Sequence, residues 1–269
     1  MNETSINPPL ILAPAGNRDS FLAAIAAGAD AVYCGLKSFS ARMAAPNFTI
    51  EELAALCDLA RKKNIAVHVT LNSLIKPDEI PEAARTLDQL NRHVKPDGLI
   101  IQDTGMIALA RQSGFKGTLH LSTLANVTFP AALKQIQSLG VSKVVLPREI
   151  GIDEIKIMDA ACPNGLELEV FIHGALCYGI SGRCYWSSFF GGKSGLRGRC
   201  VQPCRRIYTI PAQTPNSGKP QKTACFSCRD LELDVLVKTL MPLKNVRMWK
   251  IEGRKKGPHY VYSDFSRLI

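Results

Sequence analysis

A chain of 269 residues with 46% apolar and 21% charged content is long enough to bury a large core, and its formal net charge of +10 is strongly basic. No apolar run approaches the roughly 18 residues of a membrane span, and the opening MNETSINPPL has neither the basic flank nor the apolar core of a secretion signal. The expectation is a globular cytoplasmic protein with no membrane partner, in which nine cysteines mean metal, catalysis or packing rather than a disulfide framework.

From the N-terminus, short β-rich apolar runs alternate with amphipathic helical stretches. LILAP at 10–14 leads to the helical SFLAAIAAG, and AVYCGL at 31–36 to IEELAALCDLARKKN, which starts behind Thr49 and stops at Lys63-Asn64. IAVHVTLN at 65–72 leads to EIPEAARTLDQLNRH, GLIIQD at 98–103 to TGMIALARQSG, and TLHLST at 118–123 to FPAALKQIQSLG. KVVLPRE at 143–149 leads to IDEIKIMDAA, LEVFIHG at 168–174 follows, and a predicted helix over DLELDVLVKTLM precedes VRMWKIEG at 246–253. Eight such units in roughly 250 residues predict one (β/α)8 TIM-like barrel spanning 1–269. After the seventh strand the crossover is replaced by a Gly- and Cys-rich insertion, placed at 175–229.

Barrel active sites lie at the C-terminal ends of the strands. The polar residues there are Asn72, Gln102, Asp103, Ser122, Thr123, Arg148, Glu149, His173, Glu252 and Arg254, and the insertion leaves from the same rim. It carries the charge: between Glu169 and Asp230 there is no acid, while Arg183, Lys193, Arg197, Arg199, Arg205, Arg206, Lys219, Lys222 and Arg229 supply nine positive charges. A field confined in this way attracts phosphates, so the expected partner is a polyanion, and Arg183, Arg197 and Arg205 are candidate contacts.

The insertion also gathers thiols. Cys34, Cys57 and Cys162 fall in apolar pattern and read as core, whereas Cys177, Cys184, Cys200, Cys204, Cys225 and Cys228 crowd into 52 residues. Four thiolates hold zinc or an iron–sulfur cluster, and ligand type alone does not choose. The spacings Cys177-x6-Cys184 and Cys200-x3-Cys204 lean toward a cluster, since zinc staples pair two short knuckles and Cys225-x2-Cys228 is the only two-residue spacing. Tyr185, Trp186, Phe189 and Phe190 are placed either to stack on unpaired bases or to pack the insertion against the barrel.

Several segments together resemble the collagenase-like peptidase family U32: Leu12 to Asn17, Asp30 to Gly35, the EVFIHGALC stretch from Glu169 to Cys184, Gly198 to Arg205, and the closing Lys250 to Tyr260. Members of that family have been called proteases. Bacterial relatives are similar to enzymes that hydroxylate a cytidine of large-subunit ribosomal RNA or the wobble uridine of transfer RNAs, and others serve oxygen-independent ubiquinone hydroxylation. The resemblance implies a four-iron four-sulfur cluster on Cys177, Cys184, Cys200 and Cys204, with Cys225 or Cys228 as a rival fourth ligand. Family chains commonly continue past the closing motif, which makes this a short member or part of a longer chain.

The expected function is iron–sulfur-dependent hydroxylation of an RNA base. His173, Glu149 and Glu252 are candidates for proton transfer. Asn72, Asp103 and Ser122 would line the substrate pocket, and Arg148 and Arg254 would orient a phosphate or a small anionic cosubstrate. The alternatives are a peptidase, an RNA-binding protein with a structural metal, and a rim on which Arg148, Glu149, Glu252 and Arg254 form only an ion network. A partner protein completing the site is a further expectation. Against proteolysis, the chain has no H-E-x-x-H or G-x-S-x-G motif, and a triad would need Ser122, His173 and Glu149 to meet. Gly191-Gly192-Lys193-Ser194 lacks the first glycine of a phosphate loop.

Overall fold

Alternation along each strand sends one set of side chains inward and the other outward, and here both sets are buried. The computed structural model describes residues 8–211, 221–227, 230–233 and 236–266. In chain order its first elements are β1 (Leu10–Pro14), α1 (Arg18–Ala26), β2 (Ala31–Gly35), α2 (Ile50–Lys62), β3 (Ala66–Leu71) and α3 (Ile80–Gln89). Next come β4 (Gly98–Ile101), α4 (Gly105–Gln112), β5 (Thr118–Leu121), α5 (Ala132–Ser138), β6 (Lys143–Val145), α6 (Ile152–Ala160) and β7 (Glu167–Gly174). The insertion carries α7 (Trp186–Gly191), β8 (Tyr208–Ile210) and β9 (Gln221–Thr223), and β10 (Leu231–Glu232) and α8 (Val237–Leu240) lead to β11 (Val246–Ile251) and α9 (Pro258–Ser266).

Seven parallel strands in sequence order and β11 close into the barrel, β11 lying between β7 and β1 and β6 pairing with β7. The outward residues, such as Val32, Val69, Leu99, Leu119, Val144 and Val170, pack under the helices. Leu12, Ala31, Tyr33, Ile100 and Met248 form a separate cluster inside the barrel. α2 starts as expected: Thr49 Oγ1 accepts from the Glu52 amide at 3.2 Å while Glu52 returns a bond to the Thr49 amide at 2.9 Å, a reciprocal cap worth about 1 kcal/mol.

The stretch DLELDVLVKTLM departs from its predicted helix. Leu231 and Glu232 pair antiparallel with Gly174 and His173, and helix forms only at Val237–Leu240, with Asp234 and Val235 outside the described residues. The reason lies in β7, whose pairing with β6 ends at Glu169 and leaves its upper edge open. Leu231 and Leu233 have the period-two spacing of a strand that can fill that edge, and the Leu233 amide donates to the Ile172 carbonyl at 3.0 Å.

The insertion lies across the C-terminal mouth of the barrel and is pinned there. Glu149 accepts from the amide and hydroxyl of Ser181 at 2.8 and 2.9 Å, Arg197 grips Glu79, and the Leu74 amide donates to the Leu196 carbonyl at 3.1 Å. Two glycines make the approach possible. A Cβ on Gly182 would stand 1.9 Å from the Leu124 carbonyl oxygen and one on Gly198 2.0 Å from that of Ser40, and both residues have positive φ. Replacing Gly198 by Ala is therefore expected to lift this side of the insertion off the barrel. Limited proteolysis should cut the variant within residues 175–211 far faster than the native chain, and equal resistance would contradict the docking described.

Candidate active site at the barrel mouth

Inside the mouth, a cavity is lined by residues from six of the barrel strands and the loops above them, Tyr33, Thr70, Asn72, Ile100, Ser122, Val145, Phe171 and Lys250 among them. Its centre is Glu252, just past β11, which binds Arg148 at 2.8 Å and Arg42 at 3.3 Å. Burial would raise the Glu252 carboxyl, but Arg42, Arg148, Arg254 and Lys250 together hold it at about 2, so it stays ionised. The Arg148 guanidinium lies 3.8 Å over the Phe171 ring, a cation–π contact, and its Nε has no hydrogen-bond partner among the described residues. Arg254 is buried and donates to Ser40 Oγ at 2.7 Å and Thr70 Oγ1 at 2.9 Å. Asn72 accepts from the Ala41 amide and donates to Ser122 Oγ.

Below this layer the barrel is unusually polar. Lys250 Nζ meets Glu169 Oε1 at 2.6 Å and sits 4.1 Å over the Tyr33 ring. Glu169 Oε2 is 3.7 Å from His120 Nδ1, and the His120 and His68 rings cross edge to face with centroids 4.4 Å apart. Burial pushes both histidines below their ordinary value. They are therefore neutral at pH 7.

A second cavity of about 150 Å3 adjoins the first through Ala41, Arg42, Arg148 and Glu252, and is also lined by Cys177, Cys200 and Cys204. Cys184 is partly buried in the same insertion, its Sγ 3.2 Å from where a Cβ on Gly179 would lie, and does not line the chamber. Burial raises the Cys204 thiol, and Cys177 and Cys200 raise it further, as neighbouring thiols do when they share a site. A third hollow shares Ala44, Gly198 and Cys200 with the chamber and opens between Lys193 and Arg199. The three hollows thus neighbour one another in order through shared wall residues, one with Lys193 and Arg199 in its wall, one with three cysteines, and one at the barrel mouth.

The donor set suits a metal body, and the chamber is larger than one ion needs. Four thiolates about 2.3 Å from a single zinc ion lie only about 3.8 Å apart in a tetrahedron. Among the described residues no group of three or more His, Cys, Asp or Glu side chains is disposed to hold one ion. A cluster, whose irons and inorganic sulfurs stand between its ligands, holds thiolates farther apart than a single ion does. Cys225 is exposed and lines neither cavity, and Cys228 lies outside the described residues.

Residues 16–267 match the pattern of Peptidase family U32. The chain belongs to this family. Among curated U32 relatives it is 34% identical to a protein named collagenase from Porphyromonas gingivalis, over 96% of this chain and 64% of that one. It is 33% identical to tRNA hydroxylation protein P1 of Bacillus subtilis, over 94% of this chain and 60% of the relative. It is 35% identical to the 23S rRNA 5-hydroxycytidine C2501 synthase of Escherichia coli, over 93% and 37%. This U32 chain thus spans less than two thirds of the length of each of these relatives. A solved U32 peptidase structure shares the fold with a TM-score of 0.60 at 14% identity, covering 94% of this chain and 96% of that one.

The U32 fold sorts the expected site residues. Asn72, Ser122, Arg148, Glu252 and Arg254 meet in one cavity, and Arg205 lines the cysteine chamber while binding the Leu176 carbonyl at 2.6 Å. Glu149 is committed to Ser181, Arg197 to Glu79, and Asp103 to the amides of Ile75 and Gly105. Arg183 is exposed on the insertion. The His173 ring lies 6.0 Å from that of Tyr260 and lines neither the barrel-mouth cavity nor the chamber, so Ser122, His173 and Glu149 do not come together as a triad. Strand-end reasoning missed Arg42, Tyr33, Thr70, Lys250 and Glu169. Lys250 was signalled by standing two residues before Glu252 in a strand, on the same inward series.

These groups set the acid response. The histidines favour folding above the unfolded value of about 6.5, and this contribution is lost as pH falls below it, by up to about 1.4 kcal/mol per pH unit for each ring. Glu252, depressed to about 2, adds a second loss as pH falls below about 4.3. Denaturant midpoints from pH 8 to pH 3 should therefore fall in two stages, and a flat profile between pH 7 and pH 5 would show that the histidine pair is not held neutral.

Proposed function

We propose that this chain is an enzyme that hydroxylates a base of ribosomal or transfer RNA, using a four-iron four-sulfur cluster held by Cys177, Cys184, Cys200 and Cys204. The cysteine chamber, which shares Arg42, Arg148 and Glu252 with the barrel-mouth cavity and Gly198 and Cys200 with a hollow lined by Lys193 and Arg199, carries the reading. The names of the Bacillus subtilis and Escherichia coli relatives support its RNA-hydroxylation part. The bound cluster supplies one-electron chemistry that no side chain here offers.

The protein supplies grip, shape and charge. Lys193 and Arg199 hold phosphates at the hollow they line, and a nucleotide turned out of its stack enters between apolar and aromatic walls that include Ile100, Leu124 and Phe171. Asn72, Ser122 and Thr123 present donors and acceptors to a base edge. Glu252 stays ionised and fixes Arg42 and Arg148 rather than exchanging a proton. Arg148, whose Nε has no partner among the described residues, is the cation best placed to take a phosphate or a small anionic cosubstrate.

Mass mapping of ribosomal and transfer RNA from a strain lacking the protein tests this reading. One nucleotide should lose a one-oxygen mass increment, which returns with the native gene and not with an Arg148→Ala variant. An RNA profile unchanged by the deletion would overturn it.

A further inference from the structure

The helix α7 divides its aromatics between two faces. Trp186 is half-buried and packs against Tyr178, Tyr208 and Phe226 with centroids 6.1, 6.3 and 5.0 Å away, while Phe190, 52% exposed, meets among the rings of the described residues only that of Trp186. Ser187 is buried between the helix and the cysteine loop, donating to Cys200 Sγ at 3.4 Å and accepting from the Val201 amide at 3.1 Å. Tyr185, at the helix N-cap, and Phe189 form a second stripe about 100° round from the first, on the face opposite Ser187. The Phe189 amide donates to the Tyr185 carbonyl at 3.3 Å, so the rings stand one turn apart on one face. They are 62% and 89% exposed, and no aromatic ring among the described residues stands against either.

Ring packing therefore accounts for Trp186 and only in part for Phe190, and leaves Tyr185 and Phe189 to water, in a segment that also exposes Arg183, Lys193 and Arg199 and has no acid from 170 to 229. The hollow lined by Lys193 and Arg199 also has Cys200 in its wall, whose thiol Ser187 ties to the opposite face of this helix. Aromatic faces set among cations are how sequence-tolerant single-strand binders hold bases, since every base offers a π-face and every nucleotide a phosphate.

We infer that Tyr185 and Phe189 form a ledge on which unpaired nucleotides flanking the reacting one stack, their phosphates running along Lys193 and Arg199. The inference rests on the RNA reading above and adds the form of the partner: single-stranded rather than duplex RNA, because a duplex keeps its base faces covered.

Fluorescence anisotropy with a labelled single-stranded oligoribonucleotide of mixed sequence, and with a duplex of the same length, tests it. Tyr185→Ala and Phe189→Ala should each weaken single-strand binding about 5- to 150-fold, leave the salt slope unchanged, and leave duplex binding unchanged. Phe189→Trp should retain affinity, and the double variant Lys193→Ala, Arg199→Ala should reduce the slope of log K against log salt by about 1.4. Native single-strand affinity in both alanine variants would overturn the ledge while leaving the RNA reading standing. Equal losses for single strand and duplex would also overturn it, as would a dimer in sedimentation that dissociates on Phe189→Ala, which would make the face a contact between copies. No RNA affinity in the native protein would remove the ledge and the RNA reading together.

Discussion

Lys250→Met should destabilise the protein by about 3–5 kcal/mol, because it leaves the Glu169 carboxylate buried and ionised without its counter-charge. Both partners are almost wholly inside the barrel, and the bond between them is 2.6 Å. Burial would raise the Glu169 carboxyl, but Lys250 and His120 hold it well below the usual carboxylate range, and burial draws the Lys250 ammonium down while Glu169 resists. Glu169→Leu alone should cost a similar amount by stranding Lys250. The double variant should recover most of either loss, since replacing a buried pair by apolar groups is often neutral. In thermal unfolding each single variant should melt lower by on the order of 10 °C. Two small, additive losses would mean that the pair is hydrated and that the barrel floor is open to water.

The outline of the fold was legible because burial on both faces of a barrel leaves continuous apolar runs, and each of the eight lies on an observed strand. The segment after the insertion was not legible, since DLELDV satisfies a helical and a strand pattern equally. Its state was decided by the open upper edge of β7, a feature of the assembled sheet. The site divides along the same line. Cysteines and arginines announced themselves by type and crowding, whereas strand-end position alone did not say which way a side chain turns. His173 follows Glu169 and Phe171 in the inward series, but the register against β11 shifts between Phe171 and His173. That irregularity breaks the alternation, and the ring meets Tyr260 of α9, a helix no sequence pattern had marked. Arg42 lies seven residues beyond the end of β2 in an irregular loop, so only the closed barrel brings it to Glu252.

Substituting any one of Cys177, Cys184, Cys200 and Cys204 by alanine should abolish retained iron and inorganic sulfide after anaerobic purification, and with them the RNA modification. Cys225→Ala should keep both. Cys177, Cys200 and Cys204 line the chamber, the family resemblance adds Cys184, and Cys225 is exposed and does not line it. Iron kept by Cys204→Ala and lost by Cys225→Ala or Cys228→Ala would reassign the fourth ligand. Stoichiometric zinc in a colourless protein would remove the redox chemistry altogether. The three remaining cysteines provide an internal control. Burial pushes the Cys57 thiol to about 12 and that of Cys162 to about 11, and raises that of Cys34 as well, so none forms a thiolate at neutral pH. In protein stripped of metal, the exposed Cys177 and Cys225 should therefore alkylate first, and Cys34 and Cys57 only on unfolding. Iron content that followed Cys34 or Cys57 would report loss of packing, because neither thiol is exposed to bind a metal in the folded chain.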